Sequence, residues 1–286
     1  MDNNIQILDV IKSHHDFKEY IKIEDFNFGI IPENLSISTM NLTCELGITF
    51  NRFNIYNYII LETDNIISIK SSYGIKCLNN LKKNFKSITK NSKKNFYNNT
   101  TVIVNVSDNK FVNVKLFHNG SIQISGCKEL SDANIVLNKL KSKLSDIVVI
   151  DNNGEIMEIK FINNIDLFFV KDFKIDLINS NFTVRYSINK ERLYNILVEE
   201  NIICILANSH ACVNIKYKIS DNNYVSIFVF QTGNILITGA KNAEDIKKTY
   251  TFIVKLLNKY KASVIKINIL EDNDIITLLS NYNINL

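Results

Sequence analysis

The chain has 286 residues and a formal net charge of +4, with 46% hydrophobic and 22% charged residues. These ordinary values predict one large domain or two small ones, and the mild basic excess permits an anionic partner without requiring one. Five cysteines without a CxxC pair disfavour a disulfide framework or zinc site and favour a reducing intracellular compartment. We see no signal peptide and no apolar run long enough to span a membrane.

Four segments follow one another along the chain. Residues 1–31 form an N-terminal extension, in which Ile5, Leu8 and Ile11 have helical spacing. Residues 32–145 form a first half with an insertion at about 57–98. Residues 146–172 are predicted to add a hairpin that bridges to a second half, residues 173–286, which ends in a C-terminal extension.

The two halves repeat one order of predicted elements: a strand, a helix, three or more strands and a closing helix. In the first half the closing helix follows Lys128 and has Ala133, Leu137 and Leu140 on one stripe. Alignment of the opening strands pairs Leu35 with Leu177, an offset of 142 in the numbering (177 minus 35). The later hairpins are offset by only 113, so the first half is predicted to contain an additional segment whose length is the difference, about 29.

The repeat is clearest in a hairpin that leads into each closing helix. The stretch FHNGSIQISGCKE (117–129) corresponds to FQTGNILITGAKN (230–242), with six of thirteen positions identical. Strand alternation places Phe228 and Phe230 on one face with Leu236 and Thr238, and in the first half Lys115 and Phe117 with Ser125. For a single copy, this face would more often be the hydrophobic core. The repetition favours the other interpretation, an exposed sheet face with helices on the opposite side.

These hairpins resemble those of the TATA-box-binding proteins, whose halves each end in a strand, SGK, strand, TGAK and helix unit. The resemblance covers about 32–60, 99–145 and 173–262. It implies an α+β fold: a pseudo-twofold saddle of two repeated strand-helix-strands-helix units, with one continuous curved antiparallel sheet and helices on the convex face.

The resemblance also implies a function, that of a transcription initiation factor. Members of this family bind A/T-rich double-stranded promoter DNA through the minor groove, bend it, and recruit a TFIIB-like factor and RNA polymerase through the convex helices. Phenylalanine wedges kink the duplex, and easily deformed TA steps favour A/T-rich sites. The A/T-biased residue usage suggests a member from a large DNA virus, acting in the nucleus or in a cytoplasmic viral factory, with packaging in the virion as a further alternative.

Matching the family pattern position by position assigns a DNA-binding role to twelve residues. The inner wedges match Phe117 and Phe230, and the lysines of the TGAK-type corner match Lys128 and Lys241. The remaining positions face the groove: Ile37, Thr39, Ser125, Asn179, Asn181, Phe228, Leu236 and Thr238.

Several positions depart from the family pattern. The central asparagine of each half aligns with Leu35 and Leu177, and the outer wedge aligns with Asn99 and His210, with Tyr97 two residues from Asn99. These departures favour an alternative function, a protein-interaction scaffold that keeps the saddle but has lost specific TATA-box binding or all DNA binding. The lysine-rich run at 82–94 is either a solvated loop or a contact to flanking DNA.

Nothing in the sequence predicts an enzyme. There is no nucleotide-binding, metalloprotease or nucleophile-elbow motif, and the four histidines lie in unrelated contexts. The adjacent His14 and His15 would point about 100° apart on a helix and have no third ligand nearby, so a solvated helix face is the simpler interpretation. We therefore expect neither a metal nor another cofactor.

Overall fold

The computed structural model describes residues 5–26, 31–78, 98–108, 110–206, 212–221 and 223–266, which form two compact units. The first unit comprises Met1–Ile30, Ile37–Asn179 and Ala240–Ala243; the second comprises Ile31–Ser36, Ser180–Gly239 and Glu244–Leu286. Residues 146–172, predicted as a bridge, therefore belong to the first unit, and the boundary falls inside a strand. The lysine-rich run at 82–94 lies outside the described residues.

Antiparallel strands dominate both units, and each unit has helices, as expected for an α+β protein. The strands of the chain are β1 (Ile5–Ile11), β2 (Ser36–Leu46), β3 (Ile66–Ser71), β4 (Gly74–Cys77), β5 (Asn99–Ser107), β6 (Lys110–Phe117), β7 (Ser121–Cys127), β8 (Ile147–Asn152), β9 (Glu155–Ile159), β10 (Val170–Thr183), β11 (Cys204–Leu206), β12 (Cys212–Ser220), β13 (Asn223–Phe230) and β14 (Asn234–Ala240). The helices are α1 (Arg52–Tyr58), α2 (Leu130–Ser145), α3 (Lys190–Glu199), α4 (Ala243–Lys259) and α5 (Lys261–Val264), with 3₁₀ turns at Ile23–Asp25 and Ile165–Leu167.

In each unit a shorter helix follows the opening strand of the repeat (α1 after β2, α3 after β10), and a longer helix follows the hairpin (α2 after β7, α4 after β14). The strand order is β10-β2-β7-β6-β5-β3-β4 in the first unit and β11-β12-β13-β14-β10 in the second. Asn51 and Asn189 cap α1 and α3: each side-chain oxygen accepts a hydrogen bond from the backbone N–H three residues on. None of the helices in the described part of the chain has the length and hydropathy of a membrane-spanning segment.

The core of each unit lies on the helix side of its sheet. On β6, Val112, Val114 and Leu116 are fully buried, and α2 packs against β5 and β7 with its predicted stripe buried. In the second unit, α4 covers the equivalent side, where the Phe252 ring stacks on Tyr217 of β12 with centroids 4.4 Å apart. We call the opposite side of each sheet its open face.

The N-terminal extension is not helical where the sequence predicts helices. Residues 5–11 form β1, which pairs antiparallel with β8, while β9 pairs with the other side of β8. The neighbouring hairpin supplies backbone partners to β1, and this tertiary pairing outweighs the helical spacing of Ile5, Leu8 and Ile11. Within residues 146–172, β8 and β9 form a hairpin, which belongs to the small three-stranded sheet that β1 completes.

Residues 18–21 then cross α2, where two asparagines hold their backbone. The Asn138 side chain accepts from the Lys18 N–H and donates to the Lys18 carbonyl, both at 2.8 Å. Asn134, which is 3% exposed, makes the same pair of bonds with Ile21 at 2.9 Å. The extension is therefore joined to the first unit along the outer side of α2.

The two units share a backbone arrangement at one turn, which lies between β6 and β7 in the first unit and between β13 and β14 in the second. The Leu46 N–H donates to the Gly120 carbonyl and the Val184 N–H to the Gly233 carbonyl, both at 2.9 Å. The numbers of these donors differ by 138 (184 minus 46), and so do those of the caps Asn51 and Asn189. The predicted offset of 142 is therefore wrong near the ends of the opening strands. The length of the additional segment becomes 25 (138 minus 113) rather than 29.

Two glycines make this arrangement possible. Gly120 and Gly233 have φ angles of 91° and 88°, in the left-handed region where side chains are disfavoured. A Cβ atom at Gly120 would lie 2.2 Å from the Ile48 carbonyl oxygen, and one at Gly233 would lie 2.5 Å from the Tyr186 carbonyl oxygen. Only glycine permits this close approach of the turn to the opening strand.

Replacing Gly120 by alanine should destabilise the protein much more than the same change at Gly154. Both residues have φ near 90°, but no atom lies within 4 Å of a Cβ built at Gly154. We expect Gly154→Ala to cost about 1 kcal/mol for the strained backbone. Gly120→Ala adds a clash with two carbonyls and should cost more than about 3 kcal/mol in urea unfolding. Equal losses in the two variants would contradict this account of the turn.

Candidate nucleic-acid interface

The open face of the second unit brings together four of the predicted site residues. On β13, Val225, Ile227 and Val229 are buried against the helices, so the alternate residues Phe228 and Phe230 project to the open face, where they are half-buried. Across β13 and β14, Phe228 lies opposite Leu236, and Ser226 lies opposite Thr238. The prediction that these side chains lie outside the core agrees with the burial pattern.

The same face also carries polar groups on β12. Asn214 lies opposite Phe228, and Lys216 lies opposite Ser226, where its Nζ donates to the Ser226 Oγ at 2.5 Å. Lys216 is absent from the predicted site residues. The second unit therefore presents an apolar patch, formed by Phe228, Phe230 and Leu236, beside a lysine anchored by a serine hydroxyl.

The open face of the first unit holds Phe117 and Ser125 in the corresponding positions. Ile122 and Ile124 are buried on β7, which directs Gln123 and Ser125 to the open face. Ser125 lies opposite Asn113. Phe117 is half-buried at the end of β6, as Phe230 is at the end of β13. The two phenylalanines therefore occupy equivalent positions in their own units.

The predicted residues of the opening strands are half-buried like those of the hairpins, apart from one exposed asparagine. Ile37, Thr39 and Asn179 are half-buried in the first unit. Asn181 is exposed in the second unit, and its Oδ1 accepts a hydrogen bond from the Ser36 Oγ at 2.7 Å. An asparagine already bonded to a serine has a fixed orientation, so it presents a defined donor and acceptor.

The two predicted lysines, Lys128 and Lys241, are exposed at the point where each last strand gives way to a helix. The backbone N–H of Lys128 donates to the Asp132 Oδ2 at 2.8 Å, within the capping box that starts α2. The cap fixes the backbone and leaves the side chain at the surface. Both lysines are thus placed just beyond the ends of β7 and β14, at the surface, where a phosphate could reach them.

The strand register corrects the assignment of the outer wedge positions. Asn99 lies directly opposite Phe117, and Cys212 lies directly opposite Phe230. Asn99 is therefore equivalent to Cys212 and not to His210. The predicted pair of Asn99 and His210 combined two different registers; Tyr97 and His210 both lie outside the described residues.

Two exposed aromatic residues of the open faces were missed by the sequence analysis. Phe111 on β6 is 37% exposed and Tyr224 on β13 is 45% exposed. They lie six residues before Phe117 and Phe230, on the same side of the strand. Their numbers differ by 113 (224 minus 111), which is the offset of the hairpins. Applying that offset to every aromatic of the repeat would have identified them.

Acidic residues line a cavity beside Phe117. This cavity of about 340 Å³ in the first unit is lined by Glu45, Asp172 and Lys174 together with Phe117 and Gln123. Carboxylates repel phosphates, and the two carboxylates outnumber the one lysine here, so this corner of the first unit disfavours a nucleic acid backbone.

The buried thiols offer no nucleophile at neutral pH. Burial raises the pKa of the Cys44 and Cys127 thiols to about 12, and both residues are fully buried. A thiol with such a pKa stays protonated, and the thiolate is the reactive form. Among the described residues no group of three or more His, Cys, Asp and Glu side chains could hold a metal ion.

The open-face position of Phe117 predicts a contrast with its neighbour Leu116. Leu116 is 0% exposed in the core, so Leu116→Ala should lower the free energy of unfolding by about 2–5 kcal/mol. Phe117→Ala removes a half-buried ring on the other face and should cost less. Urea unfolding of the two variants measures this, and a larger loss for Phe117→Ala would place its ring in the core instead.

Residues 172–260 match the family model described as transcription factor TFIID, or TATA-binding protein, TBP. The chain is 36% identical over 265 residues to a "TATA-box-binding protein-like" protein of Acanthamoeba polyphaga mimivirus. The matched region covers 85% of this chain and 69% of that protein. The structure of Methanococcus jannaschii TBP matches 79% of this chain and 99% of its own, at 16% identity and a TM-score of 0.47. The identity and coverage shared with the viral relative establish that the chain is a divergent member of the TATA-box-binding protein family.

Proposed function

We propose that this protein is a transcription initiation factor that binds A/T-rich double-stranded promoter DNA in the minor groove and bends it. The observation that carries the proposal is the placement of Phe117 and Phe230 at equivalent ends of β6 and β13, half-buried on the open face of each unit. A rigid aromatic side chain held on a sheet face outside the core can wedge between base pairs. Unstacking costs a few kcal/mol per step and is offset by contacts that the bent duplex permits.

The chemistry of the open faces suits the minor groove. Leu236 and Phe228 offer apolar surface to base edges, while Ser125 and Thr238 offer hydroxyls that donate to the adenine N3 and thymine O2 acceptors. Lys128 and Lys241 are exposed just beyond the ends of β7 and β14, where they would neutralise phosphates. A/T-rich sites are favoured because TA steps kink readily.

The helices supply a surface for the transcription machinery. On α4, exposed Lys247, Lys248 and Lys255 line a cavity of about 560 Å³ together with the stacked Tyr217 and Phe252, and with Glu244, whose carboxylate pairs with Lys248 at 2.7 Å. We assign this side to a TFIIB-like factor and RNA polymerase, because cationic side chains beside stacked aromatic rings suit an acidic protein surface. The protein would act in the nucleus or in a viral factory, in keeping with its viral relative.

DNA binding by the wild type and by two alanine variants tests the proposal. Wild-type protein should bind an A/T-rich duplex at low salt and bring fluorophores at the duplex ends closer together. Phe117→Ala and Phe230→Ala should each reduce bending, and the double variant should weaken binding by more than about 10-fold, because base–aromatic contacts contribute about 1–3 kcal/mol each.

Lys247→Ala on α4 serves as the control, since it should leave DNA binding unchanged. Absence of binding by wild-type protein at low salt, or equal bending by wild type and the double phenylalanine variant, would refute the proposal.

A second candidate function is a protein-interaction scaffold that keeps the fold but does not bind DNA specifically. The acidic lining of the cavity beside Phe117 favours it, because Glu45 and Asp172 would face phosphates. Failure of the wild-type protein to bind any duplex, together with retained binding of a TFIIB-like factor, would support this second function.

A further inference from the structure

One cross-strand pair differs sharply between the two open faces. In the first unit, Lys115 on β6 lies opposite Gln123 on β7, and its Nζ donates to the Gln123 Oε1 at 3.0 Å. In the second unit the same position is occupied by Phe228 opposite Leu236. Lys115 corresponds to Phe228 and Gln123 to Leu236, because both pairs of numbers differ by 113, the offset of the hairpins. A polar, charged pair in the first unit therefore takes the place of an apolar pair in the second.

The contrast is confined to the two pairs, because their neighbours are polar in both units. Thr101 lies opposite Lys115 on the other side, and Thr43 lies opposite Gln123, which makes a row of polar residues across four strands of the first unit. In the second unit Asn214 lies opposite Phe228, and the offset of the opening strands makes Asn181 the counterpart of Thr43. Both pairs are half-buried, so each is held in place by its neighbours while remaining accessible.

In the minor groove, one chemical group distinguishes G·C from A·T base pairs, and the two side-chain pairs would interact with this group differently. A·T and T·A pairs present only acceptors there, whereas G·C adds the N2 amino donor of guanine. The side chains of Phe228 and Leu236 carry no acceptor for this donor, so it would lose its water against them without a replacement, which costs binding free energy. The Gln123 carboxamide has an oxygen with two lone pairs, one of which Lys115 uses, and an NH₂ group that can donate to groove acceptors.

We propose that the open face of the first unit accepts a G·C pair at Lys115 and Gln123, whereas the face of the second unit requires A·T pairs at Phe228 and Leu236. The duplex site of this protein is then asymmetric, and the two pairs give the protein one preferred orientation on it. This inference rests on the proposed minor-groove binding and adds which base pairs each open face accepts.

A base-pair scan of a bound duplex tests this inference. Starting from a duplex of A·T pairs, each pair is replaced in turn by G·C, and the affinity of the full chain is measured at fixed salt. We expect G·C to weaken binding by about 5- to 150-fold at positions on one side of the site, the range for a single unfavourable base pair, and by less than about 3-fold on the other. Equal penalties on the two sides would overturn the inference.

The chain supplies its own exchange variants. The double variant Lys115→Phe, Gln123→Leu gives the first unit the apolar pair of the second and should impose the G·C penalty on both sides of the site. Phe228→Lys with Leu236→Gln does the reverse and should relieve the penalty. If the first double variant unfolds, Gln123→Leu alone, a change on the open face, should still raise the penalty on the tolerant side.

The results distinguish failure of the proposed DNA-binding function from failure of the inferred base preference. If wild-type protein binds no duplex, the proposed function fails and the inference fails with it. If wild-type protein binds and bends A/T-rich DNA but the scan of each exchange variant matches the wild-type scan, only the inference fails, because another part of the molecule then sets the base preference.

Discussion

Burial of one side of each sheet under helices is the constraint on which the rest of this molecule depends. Val112, Val114 and Leu116 of β6 and Val225, Ile227 and Val229 of β13 are essentially inaccessible. Because side chains of a strand alternate between faces, fixing these residues in the core forces their neighbours to the other side. The aromatic, hydroxyl and amide groups of the open faces are thus placed by the packing of aliphatic side chains that never contact a ligand.

The second constraint is the close turn before each last strand. Gly120 and Gly233 bring the turn against the carbonyls of the opening strand, which fixes how far β6 and β13 extend and therefore where Phe117 and Phe230 lie. The identical hydrogen bonds at the two turns show that the repeat is preserved in backbone geometry where the side chains have diverged. The glycine that permits the turn in each unit therefore also sets the position of that unit's candidate wedge phenylalanine.

The units have diverged in their surroundings as well as on their open faces. In the first unit, Asn134 and Asn138 of α2 hold the backbone of the N-terminal extension, so part of the outer side of this helix is occupied by the chain itself. In the second unit, α4 presents exposed lysines. A partner that binds helices would therefore meet two different surfaces, in the same way that a duplex would meet two different open faces.

The sequence by itself determined the repeat, the closing helices and the side of the hairpins that faces away from the core, because alternation and helical spacing are local properties read directly from residue order. It also pointed to Phe117 and Phe230 through the offset that their hairpins share. The tertiary structure alone decided three matters. Pairing with β8 made residues 5–11 a strand despite their helical spacing, since backbone partners from distant residues outweigh local preference. The carbonyls facing Gly120 and Gly233 set the correspondence of the two opening strands, which sequence identity was too weak to fix. Cross-strand register brought Lys115 against Gln123 and Asn99 against Phe117, because contacts between strands depend on turn geometry that residue types specify only in part.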